Sequence, residues 1–243
     1  MGNMSSNIYE PEKCLICWEK IDVTDLVECT RCNIYMHAHC EETFRGKGHC
    51  KCPHCQRVGT LGISVPHRIS KYIDNNWNVL LVSWRGFSGN KGKPSEKNLY
   101  YDAQQIINWL KVQGLDNKDI VLYGESLGTG VATELASKNN FGGIILESPF
   151  TSMVDTAKIY YPYLPVSLLL KDRYDSRSKI KDIKSPILIM HGKMDNIVPQ
   201  QMGLELFEKA NNPKYSYFPE DDDHMMNFNK QLLNKIKLFI NKI

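Results

Sequence analysis

The stretch Ile120-Val-Leu-Tyr-Gly124-Glu-Ser126-Leu-Gly128 decides the fold of most of this chain. An apolar run that favours a strand leads into the pattern G-x-S-x-G, and apolar residues at helical spacing follow it. A serine between a strand and a helix is typical of a nucleophile elbow, a strained turn that exposes the hydroxyl at the end of a sheet. The Leu127 amide would then face a developing oxyanion. This context predicts an α/β sheet with Ser126 as its nucleophile.

Short apolar runs alternate with helical patterns from residue 77 onward. The predicted strands are Val79–Trp84, Ile120–Tyr123, Gly143–Leu146, Pro186–Met190 and Tyr215–Phe218. Between the first two runs, apolar residues recur at helical spacing, as they do after Ser126, and a last helix begins near Phe228. This alternation is typical of a parallel sheet built from βα units. We therefore place an α/β domain at residues 77–243.

Two further residues complete a catalytic triad in the order serine, acid, histidine. Asp195 follows the strand Pro186–Met190, and His224 follows the strand that ends at Phe218. Both lie beyond the carboxyl ends of strands, where α/β sheets place their sites. His224 would accept the Ser126 proton, and Asp195 would fix the tautomer of the imidazole. His191 lies directly after its strand, and we interpret it as structural.

The N-terminal region has a different organisation, which its cysteines define. All eight cysteines lie between Cys14 and Cys55. No secretory signal precedes them, so pairs at C-x₂-C spacing indicate metal thiolates in a reducing, cytoplasmic compartment rather than disulfides. Four ligand pairs provide eight ligands, enough for two tetrahedral structural Zn²⁺ ions. The predicted ligands are Cys14, Cys17, Cys29, Cys32, His37, Cys40, Cys52 and Cys55, which leaves Cys50 as a spare thiol.

Composition excludes several classes of function. The formal charge of +3 is nearly balanced and gives no reason to expect nucleic acid as a partner. No apolar stretch reaches the roughly 18–20 residues of a membrane span. We predict a disordered N-terminus at 1–12, a zinc module at 13–58, and a linker with the first helix of the α/β part at 59–76.

The zinc module resembles a RING-type finger, a family that binds two zincs in a cross-braced order. The resemblance implies that Cys14, Cys17, His37 and Cys40 hold one ion and that Cys29, Cys32, Cys52 and Cys55 hold the other. A PHD finger shares this order, but the Cys52-Pro-His-Cys55 pair is closer to a RING. Ile16 matches the residue that docks a ubiquitin-conjugating enzyme in ubiquitin-ligase RINGs, whereas Gln56 replaces a common arginine and argues against ligase activity.

Residues 67–243 resemble the α/β-hydrolase superfamily, especially small serine hydrolases related to acyl-protein thioesterases. The resemblance rests on the segments 84–89 (WRGFSG), 124–128 (GESLG), 146–152 (LESPFTS) and 191–199 (HGKMDNIVP). It implies an ester or thioester substrate, either a small acyl ester or an acylated protein, and no cofactor for catalysis. It also implies a cap over the pocket at about 152–179, although the apolar residues there could equally belong to the core. Giant DNA viruses encode similar fusions, which would place the protein in host cytoplasm or a virion.

The chain departs from this family at its beginning. Three further strands normally come first, and the third ends in an H-G oxyanion loop and lies between strands four and five. Here the position of that loop falls near Thr60, directly behind the zinc module. Gln56–Val65 could fill the vacant position and supply an amide near Thr60. The alternative is an N-terminally truncated hydrolase with weak catalysis.

The sequence thus predicts a small cross-braced zinc finger followed by a truncated α/β-hydrolase fold. The predicted function is cleavage of an ester or thioester through an acyl-enzyme. Two alternatives stay open. One is a RING-type ubiquitin ligase or adaptor whose hydrolase-like part only binds a partner, and the other is a serine peptidase.

Overall fold

A computed structural model describes residues 13–22, 25–29, 34–45, 61–63, 71–86 and 90–243. Chain contacts divide the protein into two compact units, residues 1–80 and 81–243. The predicted disordered segment 1–12 lies outside the described residues. No described helix is long and apolar enough to cross a membrane.

The described part of the N-terminal unit contains a small antiparallel sheet and short helical segments. Its elements are β1 (Leu26–Cys29), β2 (Tyr35–His37), α1 (Ala38–Arg45) and β3 (Leu61–Ile63). The strand order is β2-β1-β3. Among its described residues, the buried core consists of Cys14, Ile21, Val27, Cys29, Met36 and Cys40. Three of these six residues are cysteines, so apolar burial alone gives this unit little stability.

The strand β3 corrects one hypothesis about the chain. We considered Gln56–Val65 as a replacement for the missing strand of the hydrolase sheet. Leu61–Ile63 instead pairs antiparallel with β1, with Val27 opposite Ile63. The segment Leu61–Ile63 therefore belongs to the small sheet and not to the linker predicted for 59–76. Residues 71–73 are helical.

The C-terminal unit is built on a four-stranded parallel sheet. Its strands are β4 (Val121–Glu125), β5 (Gly143–Glu147), β6 (Ile187–Met190) and β7 (Lys214–Tyr217), in the order β4-β5-β6-β7. Every residue of β5 and β6 is buried, as expected for central strands of a parallel sheet covered on both faces. These strands confirm four of the five predicted runs to within two residues at each end.

Helices connect and cover the strands. They are α2 (Glu96–Val112), α3 (Leu127–Lys138), α4 (Met153–Tyr160), α5 (Val166–Leu169), α6 (Ser176–Lys179), α7 (Gln200–Lys209) and α8 (Lys230–Ile240). Ser95 caps α2 by accepting a hydrogen bond from the Asn98 backbone N–H. The predicted apolar face of this helix is confirmed, since Leu99, Ala103 and Ile107 are buried.

The prediction of a strand at Val79–Trp84 is wrong. The structure forms no strand at residues 77–84. Leu80 and Leu81 are 50% and 57% exposed, and only Trp84 packs against the main core. An apolar run becomes a buried strand only where neighbouring strands satisfy its backbone groups. Within residues 71–86 and 90–243, the first strand of the parallel sheet is β4. Leu61–Ile63 pairs with β1 in the N-terminal unit.

Candidate active site

The turn that carries Ser126 joins the end of β4 to the start of α3. Ser126 has φ 48° and ψ −116°, a strained conformation for a residue with a side chain. Its backbone N–H donates to the Glu147 carbonyl of β5 at 2.9 Å, which ties the turn to the neighbouring strand. The hydroxyl is thus presented at the carboxyl end of the sheet, as the G-x-S-x-G pattern predicts.

The two glycines of this motif have different structural roles. A Cβ on residue 124 would lie 2.6 Å from the Gly128 carbonyl oxygen, so Gly124 lets two backbone segments approach closely. A Cβ on residue 128 would meet nothing within 4 Å. Tight packing therefore explains the need for glycine at position 124 but not at position 128.

Asp195 and His224 meet Ser126 at the carboxyl end of the sheet. His224 Nε2 lies 3.0 Å from Ser126 Oγ, and His224 Nδ1 lies 2.8 Å from Asp195 Oδ2. The other carboxylate oxygen, Oδ1, accepts hydrogen bonds from the backbone N–H groups of Ile197 and Val198 at 2.9 and 2.8 Å. Both Asp195 and His224 are buried. The structure thus brings together the three residues that the sequence nominates.

Electrostatics at the site favour a charged acid beside a basic histidine. Burial acts to raise the pKa of Asp195, but hydrogen bonds from His191, His224 and the Val198 backbone hold it well below its usual range. Burial acts to lower the pKa of His224. The Asp195 hydrogen bond and charge, with the charges of Glu125 and Glu147, outweigh burial and raise that pKa. Asp195 can therefore stabilise the imidazolium that forms when His224 takes a proton.

Two residues near the site were not assigned a role there from sequence. Ser148, just after β5, is fully buried with φ 51°, and its hydroxyl donates to the His224 carbonyl at 2.9 Å. His191 Nε2 lies 3.0 Å from Asp195 Oδ2, the oxygen that also faces His224. Both follow strand ends, which is the only sequence signal that could have placed them near the triad.

Among the described residues, the predicted donor to an oxyanion is the Leu127 amide. Leu127 is the first residue of α3, so its amide is among those that the helix leaves unpaired at its N-terminus. Thr60, the predicted source of a second amide, lies outside the described residues. Its near neighbours Leu61–Ile63 are in the small sheet of the N-terminal unit.

The predicted cap segment, about 152–179, forms three short helices, α4, α5 and α6. Its α4–α5 region is largely solvent-exposed: Tyr163 is 97% and Leu168 84% exposed, whereas Val166 is buried. Residues 191–199, which carry Asp195 between β6 and α7, are called the acid loop here. Tyr160 links α4 to this loop, because its hydroxyl donates to the Ile197 carbonyl at 2.7 Å. The exposed aromatic and aliphatic residues distinguish this region from a core segment.

The N-terminal unit contains a candidate metal centre. The ligand atoms of Cys14, Cys17, His37 and Cys40 all lie within 4.8 Å of one another. Ligands about 2.3 Å from a tetrahedral zinc ion would lie roughly 3.8 Å apart, so the cluster has suitable dimensions. His37 Nε2 lies 3.0 Å from the Lys20 carbonyl, which leaves Nδ1 facing Cys17 Sγ at 3.2 Å.

The chemistry of these thiols also fits a cation. Burial acts to raise the pKa of Cys14, but the backbone N–H groups of Cys17, His37 and Ile16 outweigh it and lower the pKa to about 6. Burial, with hydrogen bonds and charge from Cys14 and Cys17, raises the pKa of Cys40 to about 12. Cys14 and Cys40 can ionise together only beside a positive charge. This cluster could therefore hold a metal ion.

Of the four residues predicted to hold the second ion, one lies among the described residues. Cys29 is buried on β1. Cys32, Cys52 and Cys55 lie outside the described residues. The cross-braced arrangement and the second ion therefore stay predictions.

The parallel sheet and the strained serine turn after β4 define the class of the C-terminal unit, which has the α/β-hydrolase fold. Residues 59–176 match the family model described as alpha/beta hydrolase fold. A sugar hydrolase, YeeB, from Lactococcus lactis superposes with a TM-score of 0.56 at 16% identity, covering 74% of this chain and 84% of that one.

Two curated proteins share sequence similarity with this chain. The chain is 40% identical over 137 residues to an uncharacterized protein of Mycobacterium tuberculosis, covering 56% of this chain and 49% of that protein. It is 31% identical over 176 residues to human alpha/beta hydrolase domain-containing protein 17B, covering 69% of this chain and 57% of that protein. The chain thus spans about half the length of the curated relatives it matches.

Proposed function

We propose that the C-terminal unit is a serine hydrolase that cleaves an ester or thioester. The observation that carries this proposal is the continuous hydrogen-bonded chain from Asp195 through His224 to Ser126, with separations of 2.8 and 3.0 Å. A nucleophile within hydrogen-bond distance of a base, which a third group orients, is the signature of covalent catalysis by a serine.

Each residue has a distinct role in the proposed reaction. Ser126 Oγ attacks the acyl carbon while its proton passes to His224 Nε2. The Leu127 amide donates to the oxyanion of the tetrahedral intermediate. Collapse expels the alcohol or thiol, which takes the proton from His224, and leaves an acyl group on Ser126. Water then attacks this acyl-enzyme with His224 again as the base, and Asp195 remains ionised throughout.

The exposed apolar side chains of the cap segment support a proposal for the substrate class. Tyr163, Leu168 and Leu169, in the α4–α5 region, are more than 60% exposed. Such a surface suits an apolar acyl chain better than it suits a polar substrate group. We propose a small acyl ester or an acylated protein as substrate. A peptidase function has no specific support among these contacts, and neither does a ubiquitin-conjugating enzyme as partner.

For the N-terminal unit, we propose structural zinc. Cys14, Cys17, His37 and Cys40 would hold one ion, and Cys29, Cys32, Cys52 and Cys55 would hold a second. Bound zinc would supply folding energy to a unit with little core, on the order of 10 kcal/mol per site. Thiolate ligands require a reducing environment, so we propose a cytoplasmic location. A viral source stays a prediction.

Labelling with a fluorophosphonate probe tests the hydrolase proposal. The probe forms a covalent bond with an activated serine, so wild type should be labelled and Ser126→Ala should not. Ser137→Ala is a matched control, because Ser137 lies on α3 but its hydroxyl bonds the Glu134 carbonyl. Equal labelling of wild type and Ser126→Ala would refute the assignment. Absence of labelling in wild type would favour a binding platform.

A further inference from the structure

His191 and His224 share a single oxygen atom of Asp195. His191 Nε2 and His224 Nδ1 lie 3.0 and 2.8 Å from Asp195 Oδ2. His191 is 0% exposed. Its backbone N–H donates to the Tyr217 carbonyl at 3.0 Å, and its carbonyl accepts from Gln200 Nε2 at 2.8 Å. This second histidine is therefore fixed in place at both its backbone and its ring.

The surroundings of the ring determine its tautomer. Besides Asp195 Oδ2, Nε2 faces the Val198 carbonyl at 2.8 Å, so both of its neighbours are acceptors and Nε2 carries the proton. His191 Nδ1 is buried without a hydrogen-bond partner among the described residues. A Cβ on residue 203 would lie 2.5 Å from this nitrogen, so Gly203 leaves just enough room for the ring. A proton on Nδ1 would add a buried, unpaired donor, which favours the tautomer that carries its proton on Nε2.

We propose that His191 is a positioning residue of the triad, an Nε2–H donor that orients the Asp195 carboxylate and neutralises part of its charge. The catalytic consequence rests on the proposed hydrolase function. His191 touches Asp195 but not Ser126, and the proton transferred in the reaction never reaches it. It acts on catalysis through the electrostatic coupling between Asp195 and His224.

This role predicts a shift whose sign separates it from a merely structural one. The charged groups that act on His224 are Asp195, Glu125 and Glu147. Without the His191 donor, the charge of Asp195 would bear more fully on His224, and the pKa of His224 would rise. If His191 only filled space, its loss would loosen the acid loop, lengthen the contact between Asp195 and His224, and lower that pKa.

The test uses the full chain with ¹⁵N-labelled histidines. The ¹⁵N shifts should place the ring proton of wild-type His191 on Nε2. A wild-type His191 whose Nε2 carries no proton would overturn the proposal even if no variant folds. The His224 titration should move to higher pH in His191→Phe and return toward wild type in His191→Gln, whose amide can donate from a similar position. A downward or absent shift in a folded His191→Phe would also overturn it.

Kinetics supply a second and separate readout. With p-nitrophenyl acetate, His191→Phe should lower kcat about 10-fold, with little change in KM, because misorientation of a catalytic group affects the chemical step. His191→Gln should recover most of this loss. Thr133→Val, a buried polar control on α3, should behave as wild type. Equal kcat in wild type and His191→Phe would refute the coupling. If Ser126→Ala hydrolyses the ester as fast as wild type, the proposed function fails, whereas the histidine titrations still decide the role of His191.

Discussion

Ser126 Oγ and His224 Nε2 lie 3.0 Å apart although 98 positions separate them in the sequence. Two strand ends bring them together, since Ser126 follows β4 and His224 follows β7 in the same parallel sheet. The Ser148 hydroxyl reinforces this arrangement from β5 by donating to the His224 carbonyl. The geometry of the pair therefore depends on the order of the strands more than on the local sequence.

The first prediction concerns pH. The pKa of His224 is raised because the Asp195, Glu125 and Glu147 charges outweigh its burial. His224 must be neutral to accept the Ser126 proton, so kcat/KM should be low in acid and rise through a pKa above the unperturbed histidine value of about 6.5. The measurement is kcat/KM for p-nitrophenyl acetate between pH 5 and 9.

A charge variant checks the cause of this shift. Glu125→Gln removes one of the carboxylates that act on His224 and should move the acidic limb to lower pH. Glu208→Gln, an exposed position on α7, should leave it unchanged. An acidic limb below pH 6.5 in wild type would contradict the electrostatic argument.

The second prediction uses the two glycines of the serine turn. In Gly124→Ala, the new Cβ would lie 2.6 Å from the Gly128 carbonyl oxygen, so the turn must distort. We expect a loss of about 1–3 kcal/mol in the free energy of unfolding and loss of fluorophosphonate labelling. Gly128→Ala meets nothing within 4 Å and should be neutral, or stabilising by up to about 1 kcal/mol, because alanine favours helices. Thermal unfolding measures the stability of both variants. Equal losses of stability would show that the close approach of residue 124 to the Gly128 carbonyl is not what destabilises Gly124→Ala.

Much of the α/β unit could be predicted from sequence because its signals are local. The strands β4 to β6 coincide with apolar runs of strand length, and β5 and β6 are buried throughout. Chain order and strand ends suffice to nominate Asp195 and His224, since parallel strands place their carboxyl ends at one edge.

The errors arise where the outcome depends on distant partners. Val79–Trp84 has the composition of a buried strand, yet its state depends on whether another strand lies beside it. Leu61–Ile63 pairs with β1 instead, a choice that no local pattern reveals. His191 is a similar case. Its position after β6 is visible in the sequence, but sharing of Asp195 Oδ2 with His224 depends on the path of the acid loop.

The third prediction concerns metal content. Elemental analysis of the purified full chain should give about two zinc ions per chain, because the spacing provides eight ligands. Cys14→Ser removes a buried ligand of the described cluster and should lower the ratio toward one. Cys50→Ser, outside both predicted ligand sets, is the matched control and should keep two. A ratio near zero in wild type, with the N-terminal unit still folded, would refute structural zinc.

The last prediction is that catalysis is slow because of the oxyanion hole rather than the triad. Asp195, His224 and Ser126 lie in hydrogen-bonding geometry, with separations of 2.8 and 3.0 Å, whereas Leu61–Ile63, close in sequence to the predicted place of the missing loop, pairs with β1 in the small N-terminal sheet. Loss of one oxyanion donor costs about 3 kcal/mol in transition-state stabilisation, or roughly 10²–10³ in rate. Activated esters, whose barriers are low, should therefore be cleaved while amides are left almost untouched.

Turnover of p-nitrophenyl acetate and of the matching p-nitroanilide measures this difference. The comparison enzyme is an α/β hydrolase that retains the H-G loop, assayed beside this chain on both substrates. Because the missing donor acts in the transition state, the deficit should appear in kcat and leave KM nearly unchanged. Rates that match the comparison enzyme on both substrates would mean that another part of the chain supplies the second donor, and the argument from truncation would then be wrong.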